Sequence, residues 1–416
     1  MKRYDTYKDI MLPCFKGTKA IPSHWSIVPL RYLFYNLDYL RKPIAANERP
    51  QSNPVYDYYG ASGVIDKIDF YNVEDTVLLI GEDGANLRMR NLPLIYKAKG
   101  RFWVNNHAHI LKPINDSYDY MFYLLESMDY YDYITGAAQP KLSQESLNKI
   151  RTILPPLSEQ HSIVTYLDDK CGKIDKMVEG KQKQIELLAE MKQRIIADAV
   201  TRGLNPDVKM KATNIPWLPE IPEHWEMESL RRFLTLYTEK GHGDKQLLSV
   251  TREQGVILRN TDSKEENHNF IPEDLSGYKY VQAGDFVINK MKSWQGSYGV
   301  SEHEGIVSPA YFTCKLQGVD KDFFSTAIRS KTYVSFFARY SKGIRVDQWD
   351  LSPVALKSIP FALPPLDEQH AIVSYITDKT TKIDTLTANL QQEIESIKEY
   401  KQRLISDVVT GQIKVC

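Results

Sequence analysis

In VNNHAH, residues 104–109, Asn105, His107 and His109 alternate, so a continuous strand would set all three on one face. Two imidazoles and an amide suit polar readout or a hydrogen-bonded structure; a metal would need a third strong ligand, and none is apparent. IGEDGAN, residues 80–86, brings Glu82 and Asp83 together, which suits acid-base chemistry or a cation, although a glycine-bracketed acidic turn is the commoner arrangement. NKMKSWQGSYG, residues 289–299, mixes Asn289, Lys290, Lys292, Trp294, Gln295 and Tyr298 in one loop-like stretch. Donors, positive charge and aromatic faces together suit phosphate and base contacts. The same chemistry is offered by Tyr59 and Ser62 in YYGASG with Lys67, by Asn86, Arg88 and Arg90, by Asn106, by Lys141, by Arg252, and by Arg345 and Gln348 in GIRVDQW. For each of these an ordinary surface loop is the competing explanation.

Catalytic signatures are missing from the chain. There is no GxxxxGK[ST] phosphate loop, no HExxH and no GxSxG, and Gly241-His242-Gly243 lacks the third glycine of a dinucleotide fingerprint. The two diproline units read LPPL, not the Asp/Asn-Pro-Pro-aromatic with which amino-methylating enzymes hold a flipped base. A non-catalytic chain that binds no cofactor or metal of its own is expected. Cys14, Cys171, Cys314 and Cys416 stand far apart with no CxxC, which argues against a disulfide framework and a zinc ribbon. Basic and acidic residues balance at 53 each, which counts against a protein that coats DNA non-specifically but leaves room for a reader with one basic face. No apolar run approaches a membrane span and MKRYDTYKDIMLPCFKG lacks the apolar core of a signal peptide, so a cytoplasmic location is expected.

The elements that must position these residues come from a duplication. LPPLSEQHSIVTYLDDKCGKID, residues 154–175, returns as LPPLDEQHAIVSYITDKTTKID at 363–384, an offset of 209 (363 − 154) that holds through KQRIIADAVT against KQRLISDVVT. IPSHW at 21–25 returns as IPEHW at 221–225. Each repeat therefore runs from IPxHW through a variable region to LPPLxEQH and a long helix. The variable regions read as mixed α/β, with strands in DTVLLIGEDG, KGRFWVNNHAHILK and AGDFVINKM and helices in YDYMFYLLESM and KDFFSTAIRS. After each diproline, Ser158 or Asp367 can accept the first N–H groups of a helix and Glu159 or Glu368 meets its positive end.

A four-three spacing then picks out Leu167, Cys171, Ile174, Val178, Lys181, Ile185, Leu188, Lys192, Ile195 and Ala199, and in the second copy Ile376, Thr380, Ile383, Thr387, Leu390, Ile394, Ile397, Lys401, Leu404 and Val408. This is a heptad seam, and a helix of about 45 residues with so narrow a seam needs a partner. The nearest is the other copy, with Lys192 and Lys401 helping to fix the register. The expected fold is α+β: a tandem duplication of two mixed α/β domains, each followed by a long helix, the helices pairing as an antiparallel coiled coil with pseudo-twofold symmetry. The expected boundaries are 1–153 and 221–362 for the domains, 154–203 and 363–416 for the helices with the tail, and 204–220 for a linker.

Over its whole length the chain resembles the DNA-specificity subunit of type I restriction-modification systems, on the paired LPPLxEQ boundaries with matched heptads and on YYGASG, LIGEDGANL, FWVNNHAHIL and GAAQPKLSQ in the first domain. The resemblance implies two target-recognition domains that read double-stranded DNA and a chain without catalysis. It implies partners too: two methyltransferase subunits that carry S-adenosylmethionine and methylate adenine N6, and two restriction subunits, ATP-driven motor-nucleases that use ATP with Mg. It further implies paired helices that fix the half-site separation and dock the methyltransferases. Because the domains diverge while the helices do not, two unlike half-sites around an unread spacer are expected. A coiled-coil scaffold with two duplicated ligand domains and no DNA contact is the alternative, and the salt dependence of DNA binding separates the two.

Overall fold

The computed structural model describes residues 6–11, 20–49, 54–115, 117–136, 138–260, 272, 274–343 and 349–415. The chain divides into two compact units, Met1–Lys181 with Gln392–Cys416, and Gln182–Gln391.

In the first unit β1 (Ile10–Met11) pairs with β2 (Ile21–Pro22), and β3 (Ser26–Pro29) follows. Next come β4 (Phe34–Asn36), β5 (Tyr56–Gly60), β6 (Gly63–Ile68), β7 (Val73–Gly81), α1 (Asn86–Met89), β8 (Ile95–Val104) and β9 (Ala108–Pro113), whose strands form one sheet in the order β4-β9-β7-β8-β5-β6. Then α2 (Tyr118–Ser127), α3 (Gln144–Lys149) and β10 (Arg151–Leu154) lead into α4 (Leu157–Arg202). β7 is buried on both faces, which is why it reads as a continuous apolar run. Leu78 and Ile80 share a core with Tyr120, Met121, Leu124 and Leu125 of α2, while Val77 and Leu79 pack with Ala98, Phe102, Val104 and Ile110. β10 pairs antiparallel with β3, Leu154 opposite Ser26, so the first and last strands of the domain form one ribbon.

The second unit opens with a hairpin, β11 (Met210–Ile215) and β12 (Leu218–Pro222), so most of the segment expected as a linker is ordered structure, with Asn214 in the left-handed region. β13 (Glu226–Ser229) pairs with β22 (Pro360–Leu363) as β3 does with β10. β14 (Leu234–Tyr237), β15 (Leu248–Thr251), β16 (Gly255–Leu258), β17 (Lys279–Val281), β18 (Phe286–Asn289), β19 (Tyr298–Val300), β20 (Gly305–Val307) and β21 (Tyr311–Leu316) lie between them. The sheet here has only four strands, ordered β14-β21-β18-β19, and β15-β16 and β17-β20 form separate ribbons. α5 (Lys321–Ile328), α6 (Lys331–Tyr340) and α7 (Pro353–Ser358) complete the domain before α8 (Leu366–Val409). Its core is aromatic, with Phe233, Phe286, Phe323, Phe324, Tyr333, Phe336 and Phe361 buried together. Strand for strand, β14-β21-β18-β19 repeats β4-β9-β7-β8 in order and direction. The two sheets share a kernel and differ in everything added to it.

Both long helices follow the four-three spacing. From Cys171 to Ala199 and from Ile376 to Val408, every seam position is buried or half-buried, and most of the positions between are exposed. In the first unit, Ile163, Leu167 and Cys171 at the start of α4 share a core with Leu404, Ile405, Val408 and Val409 at the end of α8. Lys401 Nζ reaches Asp175 at 2.6 and 2.8 Å, and Lys181 pairs with Glu393. In the second unit, Ala199 and Val200 at the end of α4 share a core with Ile372 and Ile376, and Lys192 Nζ reaches Asp384 at 2.7 and 2.8 Å. In each unit the beginning of one helix meets the end of the other, so the pairing is antiparallel. The Lys192–Asp384 and Lys401–Asp175 contacts are one interaction made twice, with the repeats exchanging roles.

Candidate nucleic-acid interface

Each domain is fixed to its helices by a joint that the two repeat motifs make together. Trp25 Nε1 donates to Glu159 at 3.1 Å, His24 Nε2 lies 2.6 Å from the same carboxylate, and Tyr7 donates to it at 2.8 Å. The second unit repeats this: Trp225 Nε1 donates to Glu368 at 3.0 Å and His224 Nε2 lies 2.8 Å away. Burial raises the pKa of Glu159, but hydrogen bonds from His24, Tyr7 and Trp25 outweigh it and hold the group below the ordinary glutamate value. Gln160 and Gln369 turn back to the carbonyls of Pro155 and Pro364, both at 2.8 Å, which locks the extended approach to each helix. The glutamates thus act as acceptors for the lead-in motif, a role that their positions in sequence, 135 and 144 residues from the histidines, do not reveal.

At the end of β7 in the first domain, Glu82 is buried and holds Arg41 and, at 3.0 Å, Lys141. Burial pushes its pKa up, and the two cations bring it below the usual range. Asp83 accepts from His107 Nδ1 at 2.7 Å. His109 is completely buried, with Nδ1 2.6 Å from Asp38 and Nε2 2.8 Å from the Leu142 carbonyl. The expected single strand through VNNHAH is corrected: residues 105–107 turn between β8 and β9, so Asn105, His107 and His109 do not share a face. With both ring nitrogens of His109 within hydrogen-bond distance of protein oxygens, the ring bridges the structure and neither nitrogen faces an open site. Among the described residues no group of three His, Cys, Asp or Glu could hold one. Glu82 is committed to Arg41 and Lys141, and Asp83 to His107.

Around that network Ser62, Lys67, Arg88, Asn106, His107 and Lys141 are exposed. Lys67 pairs with Asp57 at 3.1 Å, and Arg88 donates to the Gly136 carbonyl at 3.0 Å. Tyr59 is half-buried with its ring edge-on to Phe102. Three residues expected to meet DNA are turned to local structure instead. Asn105 is buried and caps the His107 N–H at 2.8 Å. The Asn86 amide is spent on Leu92 and Pro93, and the Arg90 guanidinium on the carbonyls of Glu126 and Met128. Arg41, which joins Asp38 and Glu82, carried no signal in sequence.

In the second domain Asn289 ends β18 and its side chain accepts from the Met291 N–H at 3.2 Å. Lys290 lies 3.4 Å from Asp350, Lys292 is exposed, Gln295 is half-buried, and Trp294 packs against Trp349 with ring centroids 5.1 Å apart. Arg252 is exposed beside Glu253. Tyr298 is corrected: it sits on β19, wholly buried and stacked on Phe337 at 4.0 Å, and burial drives its pKa far up. It belongs to the core and not to a binding surface. Arg345 and Gln348 lie outside the described residues. Sequence reasoning missed Lys279, whose Nζ donates to the Tyr311 carbonyl at 2.6 Å. Burial, with Lys240 and Lys290 nearby, pushes its pKa down.

Residues 23–187 match the family model described as the type I restriction modification DNA specificity domain. A protein of Haemophilus influenzae provisionally named a type I restriction enzyme specificity subunit, S.HindORF215P, is 25% identical over 87% of this chain and 89% of its own length. These matches support the reading of the chain as a type I restriction-modification specificity subunit. The MjaVIII specificity subunit of Methanocaldococcus jannaschii is 26% identical over 71% of this chain and 70% of its own. Among solved structures, a chain from work on complex assembly and conformational transition of the type I R-M system superposes with a TM-score of 0.61 at 13% identity, covering 94% of this chain and 99% of that one. The fold, two α+β domains with long helices, is therefore shared at a distance where sequence has largely diverged. The scaffold without a DNA role finds no support in these matches.

Proposed function

We propose that this chain is the non-catalytic DNA reader of a type I restriction-modification complex and that each unit reads one half of an asymmetric, bipartite target in double-stranded DNA. One observation carries the asymmetry. The two joints and the two lysine–aspartate contacts are the same, while one sheet has six strands and the other four, with different additions around the shared kernel. The conserved parts assemble, and the divergent parts discriminate. In the first unit the contacts come from Tyr59, Ser62, Lys67, Arg88, Asn106, His107 and Lys141; in the second from Arg252, Asn289, Lys290, Lys292, Trp294 and Gln295. The paired helices set the separation of the half-sites and dock two methyltransferase subunits, whose S-adenosylmethionine supplies the methyl group. The target adenine leaves the stack into their pockets and not into this chain. Two ATP- and Mg-dependent motor-nuclease subunits join the same complex for cleavage.

Several features support this reading. The names of the relatives are those of specificity subunits, a role without catalysis. The net charge of zero fits a reader whose partners supply much of the phosphate clamp. No helix among the described residues is long and apolar enough to cross a membrane, and we place the complex in the cytoplasm with its DNA. The test is to sequence modified adenines in cells with this chain and its methyltransferase partner, and again with the chain deleted. A bipartite motif that vanishes on deletion is expected; modification that persists, or that follows no bipartite motif, refutes the proposal.

A further inference from the structure

In the shared kernel of the two sheets, the connection from β7 to β8 corresponds to the connection from β18 to β19. The first carries Arg88-Met89-Arg90 and the second Lys290-Met291-Lys292. Both methionines are exposed, Met89 to 64% and Met291 to 56%. A single exposed methionine is ordinary. The same residue between two cations, at the same connection of two domains that otherwise differ, is not explained by surface composition.

Local structure builds both tips. Asn86 fastens the first connection to Leu92 and Pro93, and Asn289 fastens the second by accepting from the Met291 N–H. Arg90 adopts the left-handed region at φ 53, and among the described residues only Asn214 shares that conformation without being glycine. For a residue with a Cβ this conformation is disfavoured. The backbone holds it there because its guanidinium is anchored on the carbonyls of Glu126 and Met128. The turn so fixed ends α1 directly after Met89. In the second connection Lys290 lies 3.4 Å from Asp350 and Lys292 is exposed.

We propose that Met89 and Met291 are specificity residues, each the apolar tip through which its unit contacts one base pair of its half-site while Arg88, Lys290 and Lys292 meet phosphates. The inference rests on the DNA-reading function proposed above. A thioether chain is flexible and polarisable, and apolar contact to a base edge, the thymine methyl above all, is a recognised source of discrimination. Neither residue contributes to the core, so truncation leaves the fold intact.

The test uses the complex reconstituted with its methyltransferase subunits, and methylation of a duplex library with randomised half-sites. Met89→Ala is expected to lower methylation of the parental target about tenfold and to relax one base-pair position in one half-site; Met291→Ala does the same in the other half-site. Met→Leu at either site restores discrimination, and the melting temperature and the salt dependence of binding stay unchanged. Parental discrimination in both alanine variants overturns the assignment, as does a uniform loss with no relaxed position. A parental complex that shows no bipartite preference sinks the DNA-reading function itself, a result distinct from either.

Discussion

Glu159 shows how one side chain can define a joint. Its carboxylate takes hydrogen bonds from Tyr7 and Trp25 and lies against His24, so removing it strands the indole N–H of a tryptophan that is only 2% exposed. Glu159→Ala is expected to cost about 2 kcal/mol, the range for hydrogen bonds to a charged group, and to lower the melting temperature by about 5 °C. The pH dependence has a definite sign. Because the folded pKa lies below the ordinary value of 4.5, the stabilisation is complete above that value and is lost as the pH falls through the folded pKa. Calorimetry across the acid range should show a steeper loss for the parent than for Glu159→Gln, which keeps an acceptor without the charge. Equal slopes would mean that the ionised form is not what the joint uses. The same attention to burial removes Tyr298 from the binding surface: in NKMKSWQGSYG it reads as one more aromatic of a polar loop, but the loop ends at Gly296 and Ser297 and the tyrosine begins a core strand.

The helices are the elements that sequence reveals best. Their seam positions from Cys171 to Ala199 and from Ile376 to Val408 follow from a local, periodic code, and a heptad needs no knowledge of distant contacts. The domains are harder to read because their order depends on pairings far apart in sequence: β3 with β10, β13 with β22, Trp25 with Glu159. VNNHAH fails for a local reason, a three-residue turn inside an apparently continuous strand pattern, which places His109 in the core and His107 outside. The glycines that close the two long helices, Gly203 and Gly411, are also packing sites. Gly411 has φ 73, and a Cβ there would come within 2.6 Å of Pro22; Gly203 has φ 75 and would meet Glu368 at 2.7 Å. Gly172, inside α4, faces open space. Opposite outcomes are therefore expected from one substitution. Gly411→Ala destabilises by more than about 1 kcal/mol, whereas Gly172→Ala stabilises by about 0.8 kcal/mol because a helix interior favours alanine. Chemical denaturation of the two variants checks this, and a shift of the same sign in both would show that the contact of Gly411 with the joint is immaterial.

For the molecule as a whole, division of labour follows from what the duplication kept and what it let change. Both repeats keep IPxHW, LPPLxEQH, the seam and the lysine–aspartate contacts, while the sheets carry different additions on one kernel. A chain so built can alter what one domain reads without disturbing the other's joints. If the paired helices set the half-site separation, that separation must respond to their length in whole heptads. Seven residues inserted after Lys181 in α4, matched by seven after Glu393 in α8, keep both seams in phase and lengthen the pair by about 10 Å, or about three base pairs of B-form DNA. The expected result, read from modified adenines in cells, is the same two half-sites separated by about three more base pairs. Two residues inserted in α4 alone rotate the seam that follows by about 200°, turn Leu188 and Ile195 away from an unaltered partner, and are expected to abolish assembly with the methyltransferase subunits. An unchanged spacer in the matched seven-residue variant, with methylation retained, would show that something other than the helices measures the distance.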